Sequence, residues 1–218
     1  MQVSTTMRLF DTLPEATKLL PFDGEVIYLG AVLSQQECRY YFEKMMTEIE
    51  WKNDEAVLFG KKIITKRKAA WYGDKEYAYT YSNSTKHALP WTSDLLNLKA
   101  IVEKYSVASY NSVLLNLYHN GEEGMAWHSD DENTLQNSGA IASLTLGAER
   151  KFSFKHKRTG ETISIVLENG SLLVMKGTTQ KNWLHRLPPT KKIHQPRVNL
   201  TFRTIAGNKE NRNRPYSL

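Results

Sequence analysis

From Tyr110 onward the chain alternates apolar and polar residues in short runs broken by turn-forming residues. Ser112–Tyr118, Ala140–Gly147, Arg150–Lys157, Thr162–Leu167, Ser171–Lys176 and Ile193–Ile205 are such runs, and their period of two puts successive side chains on opposite faces of a strand. Arg158-Thr159-Gly160 and Glu168-Asn169-Gly170 separate neighbouring runs, as turns between strands do. The first half of the chain differs. After an irregular lead-in over 1–24, marked by Pro14, Pro21 and Gly24, a short strand is predicted within Glu25–Val32. Ser34-Gln35-Gln36-Glu37 then has the form of a capping box, with the serine hydroxyl and the glutamate side chain each accepting from a free backbone N–H. The helix it opens is predicted to run to about Trp51, with Tyr41, Met45 and Ile49 repeating every four residues. A second helix is predicted over Thr92–Tyr105, entered past Pro90 with Ser93 or Asp94 near its cap. Helices followed by strand after strand predict an α+β architecture, mainly β. The form expected is a jelly roll, or double-stranded β-helix, with the N-terminal helices packed outside. No repeat, low-complexity tract or linker divides the sequence, so 1–218 is expected to form a single domain with 110–205 as its jelly-roll core.

Two of the alternating runs carry an unusual polar face. Arg197, Asn199, Thr201 and Arg203 fall on one side of the last strand, with Val198, Leu200 and Phe202 on the other. Asn116 and Tyr118 repeat the arrangement against Val113, Leu115 and Leu117. On an exposed edge strand such a face is simply wet. Facing inward, it gathers arginine, tyrosine and asparagine into the lining a dicarboxylate needs, because a guanidinium grips a carboxylate through two parallel charge-assisted hydrogen bonds. An arginine buried without an anion is costly, so an inward face implies a bound acid.

Between these strands lies His128-Ser129-Asp130. A His and an Asp two positions apart on a strand share a face and can reach one metal ion from one side. With His185 from a later strand they would complete the facial two-His, one-carboxylate set that holds Fe(II) in non-haem oxygenases. Alone, a His-x-Asp pair is more often solvated or capping. His87, His119, His156 and His194 are read as surface or structural residues.

Residues 52–90 have a different character. Ala56–Lys68 reads as a hairpin with Phe59-Gly60 at or near its tip, and five of the eight residues from 61 to 68 are basic. Lysines on an edge hairpin discourage edge-to-edge pairing. A basic finger with an apolar tip also suits phosphate contact combined with a wedge into a base stack. Trp71-Tyr72-Gly73-Asp74 and Tyr77, Tyr79 and Tyr81 follow. Tyr79 and Tyr81 share a strand face, which serves equally as core or as a stacking platform for bases.

Composition adds bounds. A formal charge of +6 leans toward a polyanionic partner without requiring one. Cys38 is the single cysteine, which excludes an internal disulfide and fits a reducing compartment. Asp11, Glu15, Asp23 and Glu25 interrupt the first thirty residues, so no signal peptide is expected there. No apolar run approaches ~18 residues, so no membrane partner is expected.

The ordered set Asn116-Leu117-Tyr118, His128-Ser129-Asp130, His185 and Arg197-x-Asn199-x-Thr201-x-Arg203 closely resembles the AlkB family of Fe(II)- and 2-oxoglutarate-dependent dioxygenases. These are nucleic-acid dealkylation enzymes built on a double-stranded β-helix. The resemblance extends over roughly residues 55–205, and its combined motif is far more specific than any part. It implies His128, Asp130 and His185 as ligands of Fe(II), with 2-oxoglutarate and O2 as co-substrates. It implies that Arg197 and Tyr118 hold the distal carboxylate of 2-oxoglutarate and that Asn116 and Arg203 lie near its metal-bound end, with Asn199 and Thr201 in the same pocket.

Phe59-Gly60, Arg67-Lys68, Tyr72-Gly73-Asp74 and Tyr79-Thr80-Tyr81-Ser82 look like the corresponding stretch of the branch that repairs duplex DNA. That likeness makes Phe59 the residue that fills the gap left by a flipped base. Tyr81 becomes the aromatic stacked on the lesion opposite His128, and Arg67, Tyr79 and Ser82 further substrate contacts. Asp131 and Glu132 match acidic residues that meet a methylated base. The branch has Phe where this chain has Tyr81, whose hydroxyl bears on lesion preference.

The implied activity is oxidative demethylation of 1-methyladenine and 3-methylcytosine in DNA, coupled to 2-oxoglutarate decarboxylation and releasing formaldehyde, succinate and CO2. The damaged base is extruded first, because its methyl group lies on the pairing edge. Alkylated DNA, duplex and single-stranded, is the expected partner, with RNA a further one. The expected state is a monomer, in the cytoplasm if bacterial and the nucleus if eukaryotic. A related Fe(II)/2-oxoglutarate hydroxylase acting on RNA, protein or a small molecule would share the iron site without needing Phe59, the basic run 61–68 or Tyr81. A DNA-binding jelly roll with a vestigial metal site would need neither the full ligand set nor both arginines.

Overall fold

The computed structural model describes residues 16–58, 61–81, 84–130 and 139–206, with 54–58, 61–63, 79–81 and 84–86 described by backbone alone. In chain order the elements are β1 (Thr17–Lys18), β2 (Glu25–Ala31), α1 (Gln35–Glu48), β3 (Lys52–Leu58), β4 (Lys61–Gly73), β5 (Ala78–Tyr81), β6 (Ser84–His87), β7 (Leu89–Pro90) and α2 (Ser93–Ser106). The second half continues with β8 (Ser112–Tyr118), β9 (Met125–His128), β10 (Ile141–Gly147), β11 (Arg150–His156), β12 (Thr162–Leu167), β13 (Ser171–Lys176), α3 (Thr179–Asn182), β14 (Trp183–Leu187) and β15 (Arg197–Arg203).

The strands form a large sheet in the order β1-β2-β13-β10-β15-β8-β4-β3, with β7 beside β4, and a smaller sheet in the order β12-β11-β14-β9. Apart from the parallel β4–β7 pair, every pairing is antiparallel. From β8 to β15 the chain passes back and forth between the two sheets, with β11–β12 a pair within the smaller one, which is the jelly-roll solution to burying two apolar faces at once.

The large sheet is covered on both faces. On its outer side Cys38, Tyr41, Met45 and Ile49 of the α1 segment and Leu95, Leu98 and Val102 of α2 pack against Val198, Leu200, Phe202, Leu144 and Leu115. Each such residue fully withdrawn from water contributes ~1.5–3 kcal/mol. Between the sheets a second cluster joins Val26, Leu173 and Met175 to Phe154, Leu167 and Trp183. The remaining inner surface of the large sheet is polar, and it holds the site.

Helix boundaries depart from the sequence reading in instructive ways. Ser34 does form the capping box with Glu37. The helix, however, stops at Glu48 rather than near Trp51, because Ile49 is already extended (ψ 134°) and the chain feeds into β3. Trp51 folds back so that its indole donates to the Met45 carbonyl at 2.9 Å, satisfying one of the acceptors a helix end leaves open. The cap of α2 is Thr92, whose hydroxyl accepts from the Leu95 N–H at 3.3 Å, so Ser93 and Asp94 lie inside the first turn. Asp94 is buried there and accepts from the Tyr40 hydroxyl at 3.2 Å.

The last strand begins at Arg197, not Ile193. Ile193 instead offers its carbonyl to the Gly121 N–H, and Pro196 carries no N–H for a ladder. The lead-in contains the two-residue strand β1, and α3 is a short helix that the sequence pattern did not announce.

Candidate metal centre and anion pocket

β9 and β14 are neighbours in the smaller sheet, with His128 directly opposite His185. Two features bring these strands together. Gly124 lets the approach to β9 pass β14 closely, since a Cβ there would sit 2.5 Å from the Leu187 carbonyl oxygen. Arg150 is fully buried and donates to the carbonyls of Asn120, Gly121, Glu123 and Pro188 at 2.9–3.3 Å. One guanidinium thus fastens the loop entering β9 to the loop leaving β14. Phe152 stacks on the His185 ring at 5.6 Å and fixes its plane from the other side.

The imidazole rings of His128 and His185 are 4.2 Å apart. Asp130 Oδ1 lies 3.8 Å from His128 Nε2 and 4.0 Å from His185 Nε2. One donor atom from each of the three residues falls within 4.8 Å of the others, and they are the only such group of three among the described residues. His128 Nδ1 faces the Ala126 carbonyl at 2.8 Å and therefore carries the hydrogen, leaving Nε2 with its lone pair toward the other donors.

Burial pushes the His185 pKa down to about 4, so its ring is neutral at pH 7, as metal ligation requires. Burial alone would push the Asp130 carboxyl up. The Arg203 guanidinium, 3.1 Å from Oδ2, together with the His185 and His128 rings, outweighs it and holds the carboxyl below its ordinary range. Two imidazole nitrogens and one carboxylate oxygen on one side fit a divalent iron ion with an open face.

β9 ends at His128, so Asp130 does not share a strand face with it as the sequence reading expected. The pair converges because Asp130 is held from elsewhere: by Arg203 through Oδ2, and through its backbone N–H, which donates to Gln180 Oε1 at 2.9 Å.

Beside the metal centre lies a polar pocket. β15 pairs with β8 so that Arg197 faces Tyr118 and Asn199 faces Asn116, and with β10 so that Asn199 faces Thr145 and Thr201 faces Ser143. All of these side chains are buried. The face is inward, as its arginines required.

Arg197 is 2% exposed, and its guanidinium lies 5.6 Å from the Tyr118 ring. Its hydrogen-bond partners are the neutral oxygens of Thr145 (2.9 Å) and Asn199 (2.6 Å), and its Nε has none among the described residues. Burial lowers its pKa to about 10, which still leaves it charged at pH 7. A buried cation held only by neutral oxygens is a receptor for an anion. Asn199 in turn accepts from Ser143 and donates to Thr201, both at 2.9 Å, so Asn199 and Thr201 brace the arginine. Thr145, Ser143, Arg150 and Gln180 are absent from the sequence-derived site. Only Arg150 left a signal, as a charge on the inward face of a strand that also points Phe152 and Phe154 inward.

On the substrate side, β4 pairs with β8, so the basic hairpin β3–β4 extends the sheet that carries Asn116 and Tyr118. Arg67 is buried rather than splayed into solvent, with Nη1 3.0 Å from Met125 Sδ and its guanidinium 5.8 Å from the Tyr118 ring. It stands between the hairpin and the anion pocket. Tyr79 and Tyr81 lie on β5, which pairs with β6. Phe59, Ser82, Asp131 and Glu132 lie outside the described residues.

The remaining histidines are elsewhere. His156 is buried against Phe22 and Trp183, His119 meets Glu123, His87 meets Glu76, and His194 is exposed.

A facial His-Asp-His set beside a buried arginine matches one known family profile. The 2OG-Fe(II) oxygenase superfamily covers residues 25–203. The chain belongs to this superfamily. Its AlkB-type relatives include the alpha-ketoglutarate-dependent dioxygenase alkB homolog 3 of Bos taurus, 38% identical over 78% of this chain and 62% of that protein. Also similar is the DNA oxidative demethylase ALKBH2 of Mus musculus, 35% identical over 82% of this chain and 80% of that one. This 2OG-Fe(II) oxygenase therefore spans somewhat under two thirds of the length of its alkB homolog 3 relatives. The solved structure of OsALKBH1 has the same fold, with a TM-score of 0.61 at 14% identity over 87% of this chain and 99% of that one. Fe(II), 2-oxoglutarate and O2 are the cofactor and co-substrates of the family, and the donor set and anion pocket fit the first two.

Proposed function

We propose that this 2OG-Fe(II) oxygenase removes N-alkyl groups oxidatively from DNA bases, with 1-methyladenine and 3-methylcytosine as substrates. The observation that carries the reading is the buried, anion-seeking Arg197 on the strand whose Arg203 grips Asp130 of the facial set His128, Asp130 and His185. Similarity to a DNA oxidative demethylase supports nucleic acid as the substrate class.

Bound at this site, Fe(II) with 2-oxoglutarate and O2 supplies the oxidising equivalents that hydroxylate the N-methyl group, after which formaldehyde leaves. The chain's own groups do the rest. His128, Asp130 and His185 would hold the metal, and Arg203 binds Oδ2 of Asp130 and leaves Oδ1 as its ligand atom. Arg197 and Tyr118 take the distal carboxylate, while Asn199, Thr145 and Thr201 hold Arg197 in place. Asn116 lines the same pocket near the metal end. A methyl group on the pairing edge is reached only by extruding the base, and a damaged pair is already weakened. Phe59 at the hairpin, the basic run 61–68 and Tyr81 are assigned to that task, with Arg67, Tyr79 and Ser82 beside them and Asp131 and Glu132 toward the base.

The test is a panel of methylated single-stranded DNA, duplex DNA and RNA, scored for formaldehyde and succinate together. Equimolar release from the DNA substrates is expected. Succinate formed only with an unrelated hydroxyl acceptor would transfer the enzyme to another substrate class.

A further inference from the structure

We propose that Gln180, on α3, is the positioning residue for Asp130, and that α3 rather than β9 sets where the metal-binding carboxylate stands. The proposal rests on the metal-centre reading above. In a strand, two residues of one face are held in step by ladder hydrogen bonds on either side. Here the ladder ends at His128, two residues short of the carboxylate. The backbone of Asp130 is fixed instead by a bond across fifty residues of sequence, from its N–H to Gln180 Oε1 at 2.9 Å.

The orientation of the Gln180 amide follows from chemistry. A backbone N–H can only donate, so the atom facing it must be the oxygen. The amide nitrogen is turned the other way, 3.3 Å from Met175 Sδ. A second tie reinforces the first. Lys157 Nζ reaches both Ser129 Oγ at 3.2 Å and the Gln180 carbonyl at 2.9 Å, joining the residue between the two ligands to the same helix.

The helix is a firm base. Thr179, 1% exposed, accepts from the Glu25 N–H at 2.8 Å and donates to the Lys176 carbonyl at 2.6 Å. Asn182 donates to the Asp23 carbonyl at 2.9 Å, and the Lys157 N–H donates to the Asn182 carbonyl at 2.8 Å. The chain then runs directly into β14 and His185. One platform thus places His185 through the backbone and Asp130 through the Gln180 side chain. Arg203 does not duplicate this role, because it grips the outer carboxylate oxygen and leaves the backbone free to shift. The N–H bond and the Oδ2 bond together aim Oδ1 at the two imidazoles.

The test measures Mn(II) affinity of the full chain by electron paramagnetic resonance, without co-substrate or DNA, alongside amide hydrogen exchange at Asp130. Gln180→Leu removes the acceptor at nearly constant size. It should raise the Mn(II) Kd by roughly 10–100-fold, the usual effect of removing the group that orients a metal ligand, and speed exchange at the Asp130 amide. Gln180→Glu keeps an oxygen at the same reach and should retain the protection of that amide. Gln180→Ser, too short to reach, should weaken Mn(II) binding as the leucine variant does, and it replaces that variant if leucine prevents folding.

Wild-type Mn(II) affinity in a folded Gln180→Leu or Gln180→Ser protein overturns the proposal, as does equal loss of amide protection in the leucine and glutamate variants. Asp130→Ala is the control for the metal centre. If it binds Mn(II) as the unaltered chain does, the metal-centre reading itself falls.

Discussion

The anion pocket and the basic hairpin β3–β4 belong to one sheet, joined through the β4–β8 pairing, yet they are built on opposite principles. In the pocket Arg197, Asn199, Thr201, Thr145 and Ser143 are all buried, and each side chain is hydrogen-bonded to another of the five at 2.6–2.9 Å. Such a network discriminates by geometry, because a misfit leaves a buried polar group unpaired. In the hairpin β3 has β4 as its ladder partner and stands at the sheet's edge, Lys66 is exposed, and Ile64 is 64% exposed. Exposed cations attract a polyanion through counterion release, without fixed geometry. A small dicarboxylate of one shape needs the first kind of site. A long polymer of variable sequence is served by the second.

Substitutions that damage one region and spare the other test this division. The largest effect is expected from Asp130→Ala: turnover of a methylated oligonucleotide should fall to the assay floor, while its affinity, measured by fluorescence anisotropy, holds. Arg197→Met comes next. Losing one partner of a desolvated charge pair costs ~2–5 kcal/mol, so the KM for 2-oxoglutarate should rise by roughly 30-fold to several thousand-fold. Thermal melting of the metal-free variant should hold or rise, because the substitution removes a buried cation that only neutral oxygens stabilise. A fall in Tm would mean that Arg197 is structural.

Leu200→Ala probes the other face of the same strand. It should lower stability by ~2–5 kcal/mol in urea unfolding and leave the 2-oxoglutarate KM of the folded fraction unchanged. Phe59→Ala should reduce repair of duplex more than of single strands, and equal losses would sink the wedge. The smallest change is expected from Lys66→Ala. If Lys66 meets a phosphate, the slope of log affinity against log salt should shrink by about 0.9, with the chemistry on bound substrate unaltered.

How much of this was legible in the sequence follows the same division. The polar face of β15 could be read because buried polar residues at a period of two demand an explanation, and the structure supplies one through the Arg197–Tyr118 and Asn199–Asn116 register. His185 could be placed on a strand but not opposite His128, since that pairing depends on Gly124 and Arg150 closing two distant loops. Asp130 was assigned to the strand of His128 by spacing alone, whereas its position comes from Gln180 and Arg203. Contacts across fifty or more residues leave no local periodicity to detect. The jelly roll was legible from its alternating runs. The ends of α1 and β15 were not, because an indole folding back and a proline in the preceding loop decide them.

The most direct test is an anaerobic crystal structure of the chain with Fe(II) and 2-oxoglutarate. The account predicts iron bound by His128, Asp130 and His185, with the distal carboxylate within hydrogen-bond reach of Arg197 and Tyr118. Co-substrate density away from Arg197, or iron bound without His185, would contradict it.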